Sequence, residues 1–141
     1  MNTRNAMAQY RSVQSRGAVI DASPTRLIQL AYEQILAQLT VARGCVERIQ
    51  RKREVRDVVE KGVSIGKINA LLGELAGSLN LERGEEIAKN LLALYGYMMT
   101  RLTVANLNND VAIIDEISKL VREIKSGWDE VVTSGVTAAG V

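Results

Sequence analysis

The chain has 141 residues, 47% hydrophobic and 24% charged, with 18 Lys and Arg against 16 Asp and Glu for a formal charge of +2. That length suits one domain with a sizeable core, and so even a charge balance leaves no electrostatic footprint for nucleic acid. No run approaches the roughly 18 consecutive apolar residues of a membrane span, so no membrane insertion is expected.

The segment MNTRNAMAQYRSVQSRG is polar throughout, so no secretory signal is expected and residues 1–22 read as a mobile solvated arm. Ser23 and Pro24 mark the first long helix: a serine oxygen can accept an orphan amide, and the fixed φ of proline suits the first turn. Ile28, Tyr32, Ile35, Leu39, Ala42, Val46 and Ile49 then step by four and three, as in a coiled-coil seam. The basic stretch RIQRKREVRD, residues 48–57, reads as a solvated helix end and connection, because Glu54 and Asp57 interrupt its positive charge.

A second helix carries Ile65, Ile68, Leu72, Leu75 and Leu79 in the same rhythm. Asn80 and Gly84 break the chain, and Glu85 and Glu86 suit the positive start of a third helix, which is expected to run to about Asn106. Asn106, Asn108 and Asn109 are expected to break it, and Asp110 can cap a fourth helix seamed by Ile114, Ile117, Val121, Ile124, Trp128 and Val131. The spacing predicts an all-α fold: an antiparallel up-and-down four-helix bundle over residues 23–132, with the short N-terminal arm ahead of it and a flexible tail over 133–141.

Chemistry is restricted by what is missing. The sequence contains no histidine and one cysteine, Cys45, which excludes histidine phosphotransfer, histidine-ligated haem and ferritin-like di-iron sites. One thiol forms neither an intramolecular disulfide nor a cysteine metal site, which fits a reducing cytoplasm. Glycine-rich phosphate loops are absent as well. No catalytic constellation and no cofactor are expected; the protein reads as a binding module rather than an enzyme.

The apolar arcs indicate where binding would occur. The later half of the second helix and the fourth helix carry arcs close to what one side of a bundle requires, whereas the first and third spread wider. On the third, Leu94, Ile87, Met98, Leu91, Leu102, Tyr95, Met99 and Leu92 make the main arc, and Ala93, Tyr97 and Val104 form a thinner row outside it. Val55, Val59 and Val63 face away from the seam of the second. Such surplus suits a lateral groove for another helix or an extended peptide. A homodimer closed by the wide faces of the first and third helices is the alternative.

Three stretches carry a resemblance: AVIDASPTRLIQLAYEQIL at 18–36, ELAGSLNLERGEEIAKNLLALYGYMMTRLTVAN at 74–106 and IKSGWDEV at 124–131. In order and spacing they resemble the flagellar secretion chaperone family, FliS, over about residues 10–131. Glu33 departs from the Asp that often follows the tyrosine of the first helix, and Arg83-Gly84-Glu85 stands where Gly-Gly is common. The resemblance implies an antiparallel bundle in the bacterial cytosol that binds the disordered carboxy-terminal segment of flagellin, prevents premature polymerisation and delivers it to the flagellar export gate. It also implies that the arm around Tyr10 and Val13 covers apolar surface until the client arrives. Tyr10, Val59, Val63, Asn90, Ala93, Tyr97 and Val104 are the expected partner contacts, on a protein that is a monomer or weak homodimer when free.

Overall fold

The computed structural model describes residues 23–134, so the expected arm, with Tyr10, and residues 135–141 of the expected tail lie outside the described residues. Four helices account for nearly all of it: α1 Pro24–Arg51, α2 Val55–Gly77, α3 Glu85–Asn108 and α4 Val111–Ser134. Helices adjacent in sequence are adjacent in space, and α4 closes the ring against α1, which makes an up-and-down four-helix bundle.

Each boundary has a local cause. The Arg26 amide donates to Ser23 Oγ at 3.2 Å, with Pro24 in the first turn of α1; such a cap contributes about 1 kcal/mol. Between α2 and α3, Asn80 holds the turn, its carbonyl accepting from the Gly84 amide at 2.7 Å and its side chain from the Arg83 amide at 2.9 Å. The α3 helix continues past Asn106, the first of the three expected breakers, through Asn108. It ends only where Asn109 takes a left-handed backbone, φ 51° and ψ 52°, a conformation asparagine tolerates better than most residues. Asp110 Oδ1 then accepts from the Ala112 and Ile113 amides at 3.0 and 3.3 Å, which starts α4 as expected.

The seams meet in one core, with Ile35, Leu39 and Val46 of α1, Ile65, Ile68 and Leu72 of α2, Tyr95, Met98 and Leu102 of α3, and Ile114, Ile117 and Val121 of α4. Each such side chain contributes about 1.5–3 kcal/mol relative to exposure. The Tyr32 and Tyr95 hydroxyls satisfy one another at 2.5 Å inside it, and burial pushes both phenols above their ordinary range. Trp128 Nε1 donates to the Thr25 carbonyl at 2.9 Å and Arg43 Nε to Asp115 Oδ1 at 2.8 Å, binding α4 to α1.

The surplus expected on the first helix is not there. Leu27, Ala31, Tyr32 and Ile35 are buried, and Ile28 and Leu36 pack against the core, because α1 is flanked closely on both sides. On α3 the expected surplus is present: Ile87 and Leu92, both in the wide main arc of that helix, are exposed at 61% and 39%.

Candidate functional site

At about 100° per residue, cross-links between helices show which flank of each one faces its neighbour. On α2, Asp57 accepts from Arg48 Nε of α1 at 2.9 Å. Lys61 Nζ of α2 instead donates to the Asn106 carbonyl and Asn109 Oδ1 at the end of α3, at 2.8 and 2.7 Å. On α3, the Tyr97 hydroxyl donates to Glu116 Oε2 of α4 at 2.7 Å, and Arg101 Nε stands 3.8 Å from the other oxygen of that carboxylate. The flank of α3 carrying Tyr97 therefore faces α4, and its opposite flank faces α2.

The outward side of α2 and the adjoining flank of α3 form one surface. On α2 it runs through Val55, Val59, Gly62, Val63, Gly66, Ala70 and Gly73, and on α3 through Leu92, Gly96, Thr100, Thr103 and Leu107. The eight large hydrophobics exposed among the described residues include Val55, Val59, Val63, Leu92 and Leu107, all on this surface. The α2 row spans about 27 Å, eighteen residues at 1.5 Å each, and the α3 row about 22 Å, fifteen residues, and neither includes a Lys, Arg, Asp or Glu.

The surface is also more apolar than its residue names suggest. Thr100 Oγ1 donates to the Gly96 carbonyl at 3.1 Å and Thr103 Oγ1 to the Met99 carbonyl at 3.2 Å, so both hydroxyls bond within their own helix. A Cβ built on Gly62, Gly66, Gly73 or Gly96 would meet nothing within 4 Å. A docked helix can thus approach the backbone closely, as small residues permit, while the stiff valines lose little rotamer freedom on contact.

The expected contact residues divide between two places. Val59 and Val63 are 58% and 52% exposed on the α2–α3 face. Asn90, Ala93 and Tyr97 are exposed toward the α4 side of α3, and Val104 is half-buried with its side chain packed against the core. Tyr97 is not a bare apolar contact: the Glu116 carboxylate holds its hydroxyl and raises its pKa. Leu92, Leu107, Thr100 and Thr103 were not foreseen. Leu107 fell beyond the expected helix end, Leu92 stood at the edge of the wide main arc and was not among the expected contacts, and glycine and threonine add nothing to a count of apolar residues.

At the α1–α2 elbow, Cys45 Sγ and carboxylate oxygens of Asp57 and Glu60 lie within 4.8 Å of one another. The Arg48 guanidinium already serves this group, donating to Asp57 at 2.9 Å and to Cys45 Sγ at 3.4 Å. A cation would have to compete with it, and the cluster reads as a structural ion pair. Burial raises the Cys45 pKa, and Glu60 adds to the shift while Arg48 opposes it, so the thiol is not activated. No helix among the described residues is long and apolar enough to cross a membrane.

Comparison with known proteins agrees with this architecture. The family model described as flagellar protein FliS matches residues 5–135. A flagellar secretion chaperone FliSB of Pseudomonas aeruginosa is 46% identical over 129 residues, covering 92% of this chain and 97% of that protein. The flagellar secretion chaperones FliS of Salmonella typhimurium and Escherichia coli are 36% and 34% identical, covering 93% and 89% of this chain and 93% and 88% of their own lengths. A bundle of this topology, matched along nearly its whole length, belongs to the FliS family of flagellar secretion chaperones.

Proposed function

We propose that the protein is a cytoplasmic, non-enzymatic export chaperone. It holds the disordered carboxy-terminal segment of flagellin against the α2–α3 face and the neighbouring flank of α3, keeps it from polymerising and delivers it to the flagellar export gate. The observation that carries this reading is the uncharged apolar track along α2 and α3, too long for a single side-chain pocket and shaped for a rod. The relatives share the name flagellar secretion chaperone, which supports a client of the flagellar export route.

A segment that folds on binding can bury on the order of 1,000–3,000 Å² while losing several kcal/mol to its own ordering, which keeps the complex reversible. The test is to titrate a synthetic flagellin carboxy-terminal segment into the protein, following heat and far-ultraviolet circular dichroism. A one-to-one complex with helicity above the sum of the parts is expected. A protein that ignores the segment and elutes as a stable dimer would instead be a structural homodimer.

A further inference from the structure

The two most exposed large hydrophobics, Val55 at 80% and Leu107 at 76%, stand at the same end of the α2–α3 face. The Lys61 bridge to Asn106 and Asn109 and the Gln50 bond to the Asn109 carbonyl hold the end of α3 beside the elbow. Around them Arg51, Lys52, Arg53 and Arg56 are exposed. Few acids answer these cations. Glu54 is shared between Lys52 and Arg56, at 3.6 Å from each. Asp57 is buried and occupied by Arg48, and Glu60 lies 4.0 Å from that same arginine. Arg51 and Arg53 have no carboxylate in ion-pair range among the described residues. The charge of Arg53 reaches inward, where it helps burial to lower the pKa of Lys61.

The opposite end of the face carries no such excess. Glu82, Glu85 and Glu86 are exposed around the α2–α3 turn beside Arg83 and Lys89, the latter 3.7 Å from Glu86. A neutral apolar track therefore runs from a basic end to one of mixed charge.

We infer that this track has a direction: the client lies along it with a carboxylate-bearing stretch over Arg53, Arg56 and Arg51, its aliphatic side chains covering Val55 and Leu107. The inference rests on the α2–α3 face being the client's seat and adds the chemistry of one end of the client. Arginine suits the role, since its planar fork grips a carboxylate with two parallel bonds. Rim charges of this kind act mainly on orientation and encounter rate, with a salt-dependent share of affinity. An anionic membrane is the poorer match, because the cations sit at one end of a narrow neutral stripe rather than across a plane.

The test uses the whole protein and a synthetic flagellin carboxy-terminal segment carrying a nitroxide at one end or the other. The nitroxide on the more acidic end should broaden the amide signals of Val55 and Leu107, and the label on the other end those of Leu92 and Gly73. In an Arg53→Glu/Arg56→Glu variant, whose altered side chains are solvent-exposed, affinity should fall about tenfold at low salt, and the gap should narrow at roughly 0.5 M salt. Replacing the segment's carboxylates by amides should remove most of that sensitivity. If the wild type binds the segment but both labels broaden both ends equally, or the variant binds as well as wild type at low salt, the directional inference fails while the chaperone reading stands. If the wild type does not bind the segment at all, the chaperone reading fails. Cosedimentation with phosphatidylglycerol vesicles that the same variant abolishes, without any directional effect on the segment, would assign the cations to a membrane and overturn the inference.

Discussion

Replacing Val59 and Val63 together by glutamine separates the surface's function from its structural role. The two side chains are 58% and 52% exposed in the free protein, so a client that covers them removes roughly half of each valine from water. Fully burying a valine contributes about 1.5–3 kcal/mol; scaled by those fractions each position supplies about 0.8–1.7 kcal/mol, and the pair about 1.6–3.3 kcal/mol. At 1.4 kcal/mol per tenfold this is about 15- to 250-fold in Kd. Incomplete coverage by the client lowers the figure, so a loss of at least about tenfold is the expectation. The free protein should not suffer, because neither valine is in the core and glutamine forms helix slightly better than valine. Calorimetric titration with the flagellin segment measures the first quantity and thermal melting the second. A Kd within threefold of wild type, with an unchanged melting temperature, would show that the client does not use this face.

Tyr32→Phe should cost about 1–3 kcal/mol in urea denaturation by leaving the Tyr95 hydroxyl buried without its partner. The Tyr32→Phe/Tyr95→Phe double variant should cost less than the sum of the singles, and strict additivity would deny the coupling. Gly62→Ala/Gly66→Ala/Gly73→Ala adds methyls that meet nothing within 4 Å. It should raise stability by about 0.5–1 kcal/mol per site while weakening the client complex, and unchanged binding would show that no helix approaches the α2 backbone. Hydrogen bonding from Arg43 holds the Asp115 carboxyl below its usual range, and for Asp129 bonds from Lys125 and Gln29 outweigh an opposing effect of burial. Both groups thus stay charged in the fold at pH values where the unfolded chain has taken up protons. Their contribution is present above the ordinary aspartate value of 3.8 and is lost as pH falls through the lower folded values. Asp115→Asn should flatten that acid limb of the urea midpoint, and an unaltered limb would remove Asp115 from the account.

The fold was legible because the seams of α1, α2 and α4 repeat at helical spacing and Ser23, Pro24 and Asp110 announce helix starts. The left-handed residue that ends α3 was harder: three asparagines stand near the end of that helix, and nothing local in the sequence says that Asn109 rather than Asn106 makes the turn. That uncertainty removed Leu107 from the helix and from the candidate face. The width of an apolar arc was a guide on one helix and not on the other. On α3 Ile87 and Leu92 do point where no helix covers them, whereas on α1 two close neighbours consume the surplus. Val59 and Val63 could be read from phase alone because they interrupt no polar pattern on α2. The buried Asp57 and Lys61 could not, since a charge run reads as solvated until Arg48 and the Asn109 side chain are placed beside it.

The α2 helix shows how the requirements of the bundle and of the surface divide. Its inner positions, Ile65, Ile68, Leu72 and Leu75, are all buried and would hold the helix in place whatever stood outside. The outer row uses residues that helix formation disfavours: glycine costs about 0.5–1 kcal/mol relative to alanine, and valine is a weaker helix former than lysine or glutamate, which are at home on an exposed helix face. Nothing packs on Gly62, Gly66 or Gly73 to require the absence of a side chain, and none of them has a positive φ. Fold stability therefore gives no reason for this row, and solubility argues against it. Low-propensity residues, neutrality over about 27 Å and a satisfied threonine row on α3 are what the approach of a second backbone requires, so the same local choices that weaken α2 as a helix make it usable as a platform.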